Sequence, residues 1–105
     1  MDSIVLVYTT FSNLEEARAI SEELLNKKLI ICVNIFPKVN SLYLWKGEIH
    51  NSYEIVTIMK KQKRSSRWNH KKIEAMHSYD QPAVIVIPIE KTNKSFTNWV
   101  NNVLI

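Results

Sequence analysis

The chain has 105 residues, 46% of them apolar and 23% charged, which suits one globular domain over 1–105 and excludes a disordered or fibrous chain. Its net charge of +4 and pI near 9.3 come largely from "KKQKR" (60–64), Lys71 and Lys72, a patch that reads as a solvated loop and helix face rather than the long basic tail of a nucleic-acid binder. Cys32 stands alone, which excludes an intrachain disulfide and predicts a reducing, cytoplasmic setting.

The opening "SIVLVYTT" reads as a strand that is apolar on both faces over Ile4–Tyr8. This run and Ala83–Ile89 are far shorter than the about 20 residues of a membrane-spanning helix. "MDSIVLVYTT" carries no basic segment or small-residue cleavage site, so neither a membrane partner nor a signal peptide is expected. Ser12 and Glu15 then have the S-x-x-E spacing of a capping box. Leu14, Ala17, Ile20 and Leu24 follow at helical spacing and predict one buried stripe. Glu15 and Glu16 in the first turn, with Lys27 and Lys28 in the last, suit the helix dipole.

Leu29–Phe36 reads as a second strand, and Pro37 after it demands an edge position, a bulge or a bend, because proline has no N–H for a ladder. The extended pattern resumes over Val39–Trp45, turns at Lys46–Gly47 and returns through Glu48–Lys60. Gly47, the only glycine, supplies the positive φ of a tight hairpin. Ser65 or Ser66 is the expected cap of a helix to Met76, with Trp68, Ile73 and Met76 facing inward. "HSYDQP" breaks that helix, and Ala83–Ile89 forms a short apolar strand. Thr92 or Asn93 opens a last helix with Phe96, Trp99, Val100 and Val103 on one side.

The order βαββαβ plus a terminal helix predicts a ferredoxin-like α+β sandwich, with the two main helices on one face of an antiparallel sheet. An exposed second face should alternate apolar and polar residues, and several of these strands do not. The returning hairpin arm, Glu48–Lys60, would span roughly 43 Å at about 3.3 Å per residue. A compact domain of this size has a radius of gyration of about 13 Å. The hairpin must therefore project, exposing Leu42, Leu44, Ile49 and unpaired backbone edges, and such edges call for another chain. An obligate oligomer follows, of a copy number that this argument does not fix.

Three stretches, "CVNIFPKVNSLYLWKGEI" (32–49), "HSYDQPAVIVIPI" (77–89) and "NKSFTNWV" (93–100), resemble the CutA divalent-cation-tolerance family. The likeness runs in order over nearly the whole chain, and its Cys-Val-Asn, Trp-Lys-Gly and His-x-Tyr-x-x-Pro elements are specific. The resemblance implies a homotrimer similar in architecture to PII-like signalling proteins, in which each hairpin embraces a neighbour. Leu42, Tyr43, Leu44, Trp45 and Ile49 would then form the trimer interface. The family is associated with tolerance to copper and other divalent metals, an animal relative is linked to anchoring of acetylcholinesterase, and no reaction is established for it. The expectation is a trimeric binding or scaffold protein of metal-ion homeostasis, not an enzyme, whose one candidate cofactor is copper or another divalent cation.

His50, His70 and His77 form no C-x-x-C, H-x-x-x-H or H-E-x-x-H pattern, so a zinc site within one subunit is not expected. His77 matches the histidine of the family's His-Pro-Tyr segment and is the first metal candidate, its alternative being a hydrogen bond at a helix C-terminus. Cys32 matches the family's Ala-Cys-Val-Asn cysteine, its alternative being an inert core thiol. Met76 is a weaker candidate, as a thioether for Cu(I). In a copper-binding bacterial member a ligand cysteine stands where this chain has Thr9, and paired histidines stand at Met76 and His77. Ser12-Asn13 replaces the family's Pro-Asp, Ser78 the proline of His-Pro-Tyr, and Ala83 the glutamate of Pro-Glu. Lys60, Tyr79 and Trp45, beside Tyr43 and Trp99, are candidate walls of an inter-subunit cleft. The alternative function there, by analogy with PII-like trimers, is binding of a small anionic metabolite.

Two other readings compete. The βαββαβ order with a basic pI also describes an RNA-binding ferredoxin-like module. "KGEIHNSY", however, follows Lys-Gly with Glu and Ile instead of an aromatic, and its glycine falls in a turn. For an enzyme, no nucleophile elbow, carboxylate pair or phosphate loop is present, and Cys32 with His77 is the only nucleophile–base pair on offer.

Overall fold

In the computed structural model of the chain, residues 3–64 and 70–103 are described. The expected cap at Ser65 or Ser66 and the expected inward Trp68 lie outside them. The elements are β1 (Ile4–Phe11), α1 (Leu14–Asn26), β2 (Cys32–Trp45), β3 (Glu48–Gln62), α2 (His70–Met76), β4 (Val84–Pro88) and α3 (Lys94–Val103). The strands form one antiparallel sheet in the order β2-β3-β1-β4, the order of a ferredoxin-like sandwich.

Helix α1 begins one residue later than the capping box predicts. Asn13 is the cap, with extended backbone at φ −146°, and its side-chain oxygen accepts the Glu16 N–H at 2.8 Å. The Ser12 hydroxyl is spent on the Asn13 amide instead. At the other end Lys27 and Lys28 are not in the last turn but form the stop. The Lys28 N–H bonds the Leu25 carbonyl, the Leu29 N–H bonds the Leu24 carbonyl, and Lys28 has φ 57°. This is a Schellman closure with lysine where glycine is usual, and Leu24 and Leu29 pack together across it. Along the stripe Ala17, Ile20 and Leu24 are buried as predicted, but Leu14 is exposed and Ser21 takes a buried position.

Val7 and Phe11 of β1 meet Ile55 and Met59 of β3, and over them lie Ala17, Ile20 and Leu24 of α1 and Ile73 of α2. Met76, expected inward, is exposed. Ile4 points to the opposite face by strand alternation. There it packs with Ile31 and with Val100 of α3, flanked by Cys32, Ile89 and Phe96. Helix α3 thus covers one end of the second face, and Trp99 and Val103 remain exposed. Ile85 and Ile87 of β4, on that same face, are also open to solvent in the single chain.

β2 starts at Cys32 rather than Leu29 and runs through Pro37. It is an edge strand, and its register against β3 shifts between Phe36 and Val39, so Pro37 sits both at an edge and in a bulge. β1 pairs with β3 only as far as Phe11 opposite Ile55. Beyond that point β3 has β2 alone as neighbour, and the two form an arm from Val39 to Glu54. The molecule is accordingly elongated, 46 × 25 × 22 Å with a radius of gyration of 14.7 Å. The arm closes through Lys46 at φ 51° and Gly47 at φ 78°, the two left-handed residues of a type I′ turn.

Lys28 and Lys46 thus hold a conformation that costs a residue with a Cβ about 1 kcal/mol. Lys28→Gly is expected to raise stability by up to about 1 kcal/mol. Gly47→Ala is expected to lower it by a similar amount, through the backbone alone, because an added Cβ meets nothing within 4 Å. Urea denaturation of the two variants beside the parent chain measures both.

Candidate functional site

The segment after α2 folds back onto the end of β1 and is held there by three consecutive side chains. The His77 side chain is fully buried, its ring stacked on Phe11 at 4.6 Å and 8°. Its Nδ1 accepts the Tyr79 N–H at 3.0 Å, which places the proton on Nε2, and Nε2–H donates to the Thr10 carbonyl at 2.6 Å. Ser78 gives both its N–H and its hydroxyl to the Glu16 carboxylate, each at 2.7 Å. The Tyr79 hydroxyl donates to Glu54 at 2.8 Å, and its ring lies against His77 at 4.7 Å. Burial first, and then the bond to the Glu54 carboxylate, push the Tyr79 phenol far above its ordinary range.

As placed, His77 has no free lone pair for a cation: one nitrogen carries a proton and the other is occupied. Glu16 Oε1 stands 3.7 Å from Nδ1 and is already committed to Ser78. The Thr9 hydroxyl is buried and without a partner, and it is a hard donor where a thiolate would suit copper. Met76 lines a groove between α1 and α2 with Leu24, Leu29 and Ala75, under Glu23, Lys27 and Lys72. Among the described residues no three His, Cys, Asp or Glu side chains come together. Among the described residues of one chain these donors therefore stand apart from one another.

Cys32 lies elsewhere, at the start of β2 opposite Lys60, which in turn pairs with Leu6. Leu6 and Thr10 are four residues apart on β1, about 13 Å. Cys32 and His77 are thus not brought together, and the nucleophile–base pair read from the sequence does not form. Burial raises the Cys32 thiol above its ordinary value, and the neighbouring Lys60 ammonium offsets only part of that rise. Lys60 itself bonds the side-chain oxygen of Asn34. The three cleft candidates are likewise separate within one chain. Trp45 pairs with Glu48 at the hairpin end, twelve residues along β3 from Lys60 and about 40 Å away. Tyr79 belongs to the His77 segment between them.

The hairpin candidates share a different property. Leu42, Leu44 and Ile49 are 68%, 76% and 78% exposed, and Tyr43 and Trp45 are exposed beside them. Phe36, Tyr53, Ile85, Val86 and Ile87, which the sequence did not single out, join this exposed apolar surface. Glu16 and Glu54 were also missed as anchors. Their partners lie 62 and 25 residues away in the chain, so no short pattern announces them. Gly47, which an RNA-binding reading would place inside a strand, is in the hairpin turn.

The family model described as CutA1 divalent ion tolerance protein matches residues 5–103. The chain belongs to this family. The divalent-cation tolerance protein CutA of Archaeoglobus fulgidus is 40% identical to it over 95 residues, covering 90% of this chain and 92% of its own. The crystal structure of CutA1 from Ehrlichia chaffeensis has a TM-score of 0.93 at 42% identity, covering 100% of this chain and 98% of that one. The structure of the Archaeoglobus fulgidus protein, described as periplasmic, gives 0.90 at 36% identity over 97% and 99% of the two chains. The resemblance read from the Cys-Val-Asn, Trp-Lys-Gly and His-x-Tyr-x-x-Pro elements therefore holds, and so does the ferredoxin-like CutA1 fold. Among the described residues no helix is long and apolar enough to cross a membrane.

Two outcomes are expected at this site. Glu16→Ala, which removes both anchors of Ser78, should cost about 2 kcal/mol in urea denaturation. The Cys32 thiol, raised from 9.0, holds less thiolate at neutral pH than a free cysteine, so a thiol reagent should label the native chain slowly at pH 7 and faster as pH rises.

Proposed function

We propose that the chain works in divalent-cation tolerance as a homotrimer, a cytoplasmic binding or scaffold protein rather than an enzyme. The observation that carries this reading is the exposed aliphatic side of the hairpin arm, Leu42, Leu44 and Ile49, on a pair of strands with no third neighbour. At about 25 cal/mol per Å² of apolar area, covering three such side chains contributes several kcal/mol to association. The tolerance names of the relatives in this family supply the biological context. The cation, copper first, is taken between chains. Cys32 is half-buried on an edge strand and Met76 is exposed, so both are accessible donors of the soft kind copper favours. His77 joins them only if Tyr79 releases Nδ1.

A second reading rests on Lys60. Its described partner is the neutral Asn34, so its charge is available to a small anionic metabolite at a cleft completed by a neighbour's Trp45 and Tyr79.

Mass measurement in solution and Cu(II) calorimetry test the first reading. The expected outcome is a mass of three chains and saturable Cu(II) binding that falls in Cys32→Ala and survives in His77→Gln. A monomer at all concentrations overturns the trimer. Loss of binding in His77→Gln with the fold intact returns the metal to the imidazole.

A further inference from the structure

At the base of the hairpin arm the sheet narrows to two strands. β1 stops at Phe11 opposite Ile55, so Glu54 is the first β3 residue without β1 beside it. At the same level the β2–β3 ladder is interrupted. Its register shifts between Phe36 and Val39, and the first pair on the far side is Val39 with Glu54. A bulge bends and twists the strand that carries it. Beyond the bulge the two strands pair only with each other, so no ladder to β1 holds the arm in the plane of the sheet.

One side chain from outside the two strands is bonded at that level. The Tyr79 hydroxyl donates to Glu54 at 2.8 Å. Tyr79 is itself tied to the body of the protein. Its N–H is bonded to His77, His77 is bonded to the Thr10 carbonyl and stacked on Phe11, and Ser78 is bonded twice to Glu16 of α1. We propose that Tyr79 is a strut that sets the angle of the hairpin arm for assembly, through its bond to Glu54 at the bulge. This rests on the homotrimer reading for its purpose and on the geometry at the base of the arm for its mechanism. Tyr79 is a positioning residue here: it acts on the interface through the arm.

The test compares Tyr79→Phe, Glu54→Ala and Glu54→Gln with the parent chain by hydrogen exchange and by dissociation on dilution. Tyr79→Phe and Glu54→Ala are expected to keep the exchange protection of β1 and of Ile55–Lys60. Their arm amides (39–54) should exchange about tenfold faster and their oligomer should dissociate at about tenfold higher concentration, the size of one hydrogen bond to a charged group. Glu54→Gln, whose neutral amide oxygen still accepts the phenol, should fall between the parent and Glu54→Ala. Arm exchange unchanged in both Tyr79→Phe and Glu54→Ala overturns the strut, as does loss of protection spread equally over β1 and the arm. Should Tyr79→Phe not fold, Glu54→Ala alone decides between these outcomes. A parent chain that is monomeric refutes the trimer instead, and arm exchange in the monomer still decides the strut.

Discussion

A strand of fifteen residues lies beside one of eight, and most of what is unusual about this molecule descends from that mismatch. Where β1 accompanies β3, two sheet faces are available for helices and a core closes around Phe11, Met59 and Leu24. Where β1 has ended, no third strand and no helix among the described residues covers the hairpin, and its aliphatic side chains face solvent. Nothing in the body of the domain can bury them, because they lie beyond its reach. The apolar β4 edge and the part of the sheet that α3 leaves bare present the same unfinished surface nearer the centre. In the proposed homotrimer a neighbour would cover this surface, and stability would then depend on protomer concentration.

The segment 77–79 is the other organising feature, and it shows how a polar knot substitutes for regular structure. Three successive residues bind a strand carbonyl, a helix carboxylate and a hairpin carboxylate. The His77 bond satisfies a ring nitrogen that would otherwise be costly to bury, and each of the three residues ties a different element. For metal chemistry the consequence is restrictive. The His77 imidazole serves as donor and acceptor at once, and among the described residues no three His, Cys, Asp or Glu side chains come together.

Much of the fold was legible in the sequence because it is written in local patterns. Short apolar runs marked the strands, three-four spacing marked α1, and Pro37 announced an edge, a bulge or a bend, of which an edge and a bulge occur. The errors are local competitions between equals. Asn13 caps α1 because asparagine accepts from the backbone as well as serine does. Lys28 serves as a helix stop because Leu24 and Leu29 pack around it, a tertiary reason that the sequence does not advertise. The candidate site was less legible. His77 and Tyr79 stand out through the motif they share with the CutA1 family, but Glu16 and Glu54, which anchor Ser78 and Tyr79, are ordinary surface-type carboxylates, and only the folded chain brings them near.

Pro37 has one more effect. β2 is a long outer strand whose free side could pair with any extended peptide, and such a side invites unlimited lateral growth of the sheet. A foreign strand extending along it would lose its ladder at the proline, which has no N–H to offer, and at the shifted register beside it. The break divides the strand at Pro37, so an added strand cannot run in one register along the whole edge. In the proposed assembly the bulge at the base of the hairpin would therefore have a second use, guarding the newly made chain against fibrous stacking while its apolar surface is still uncovered.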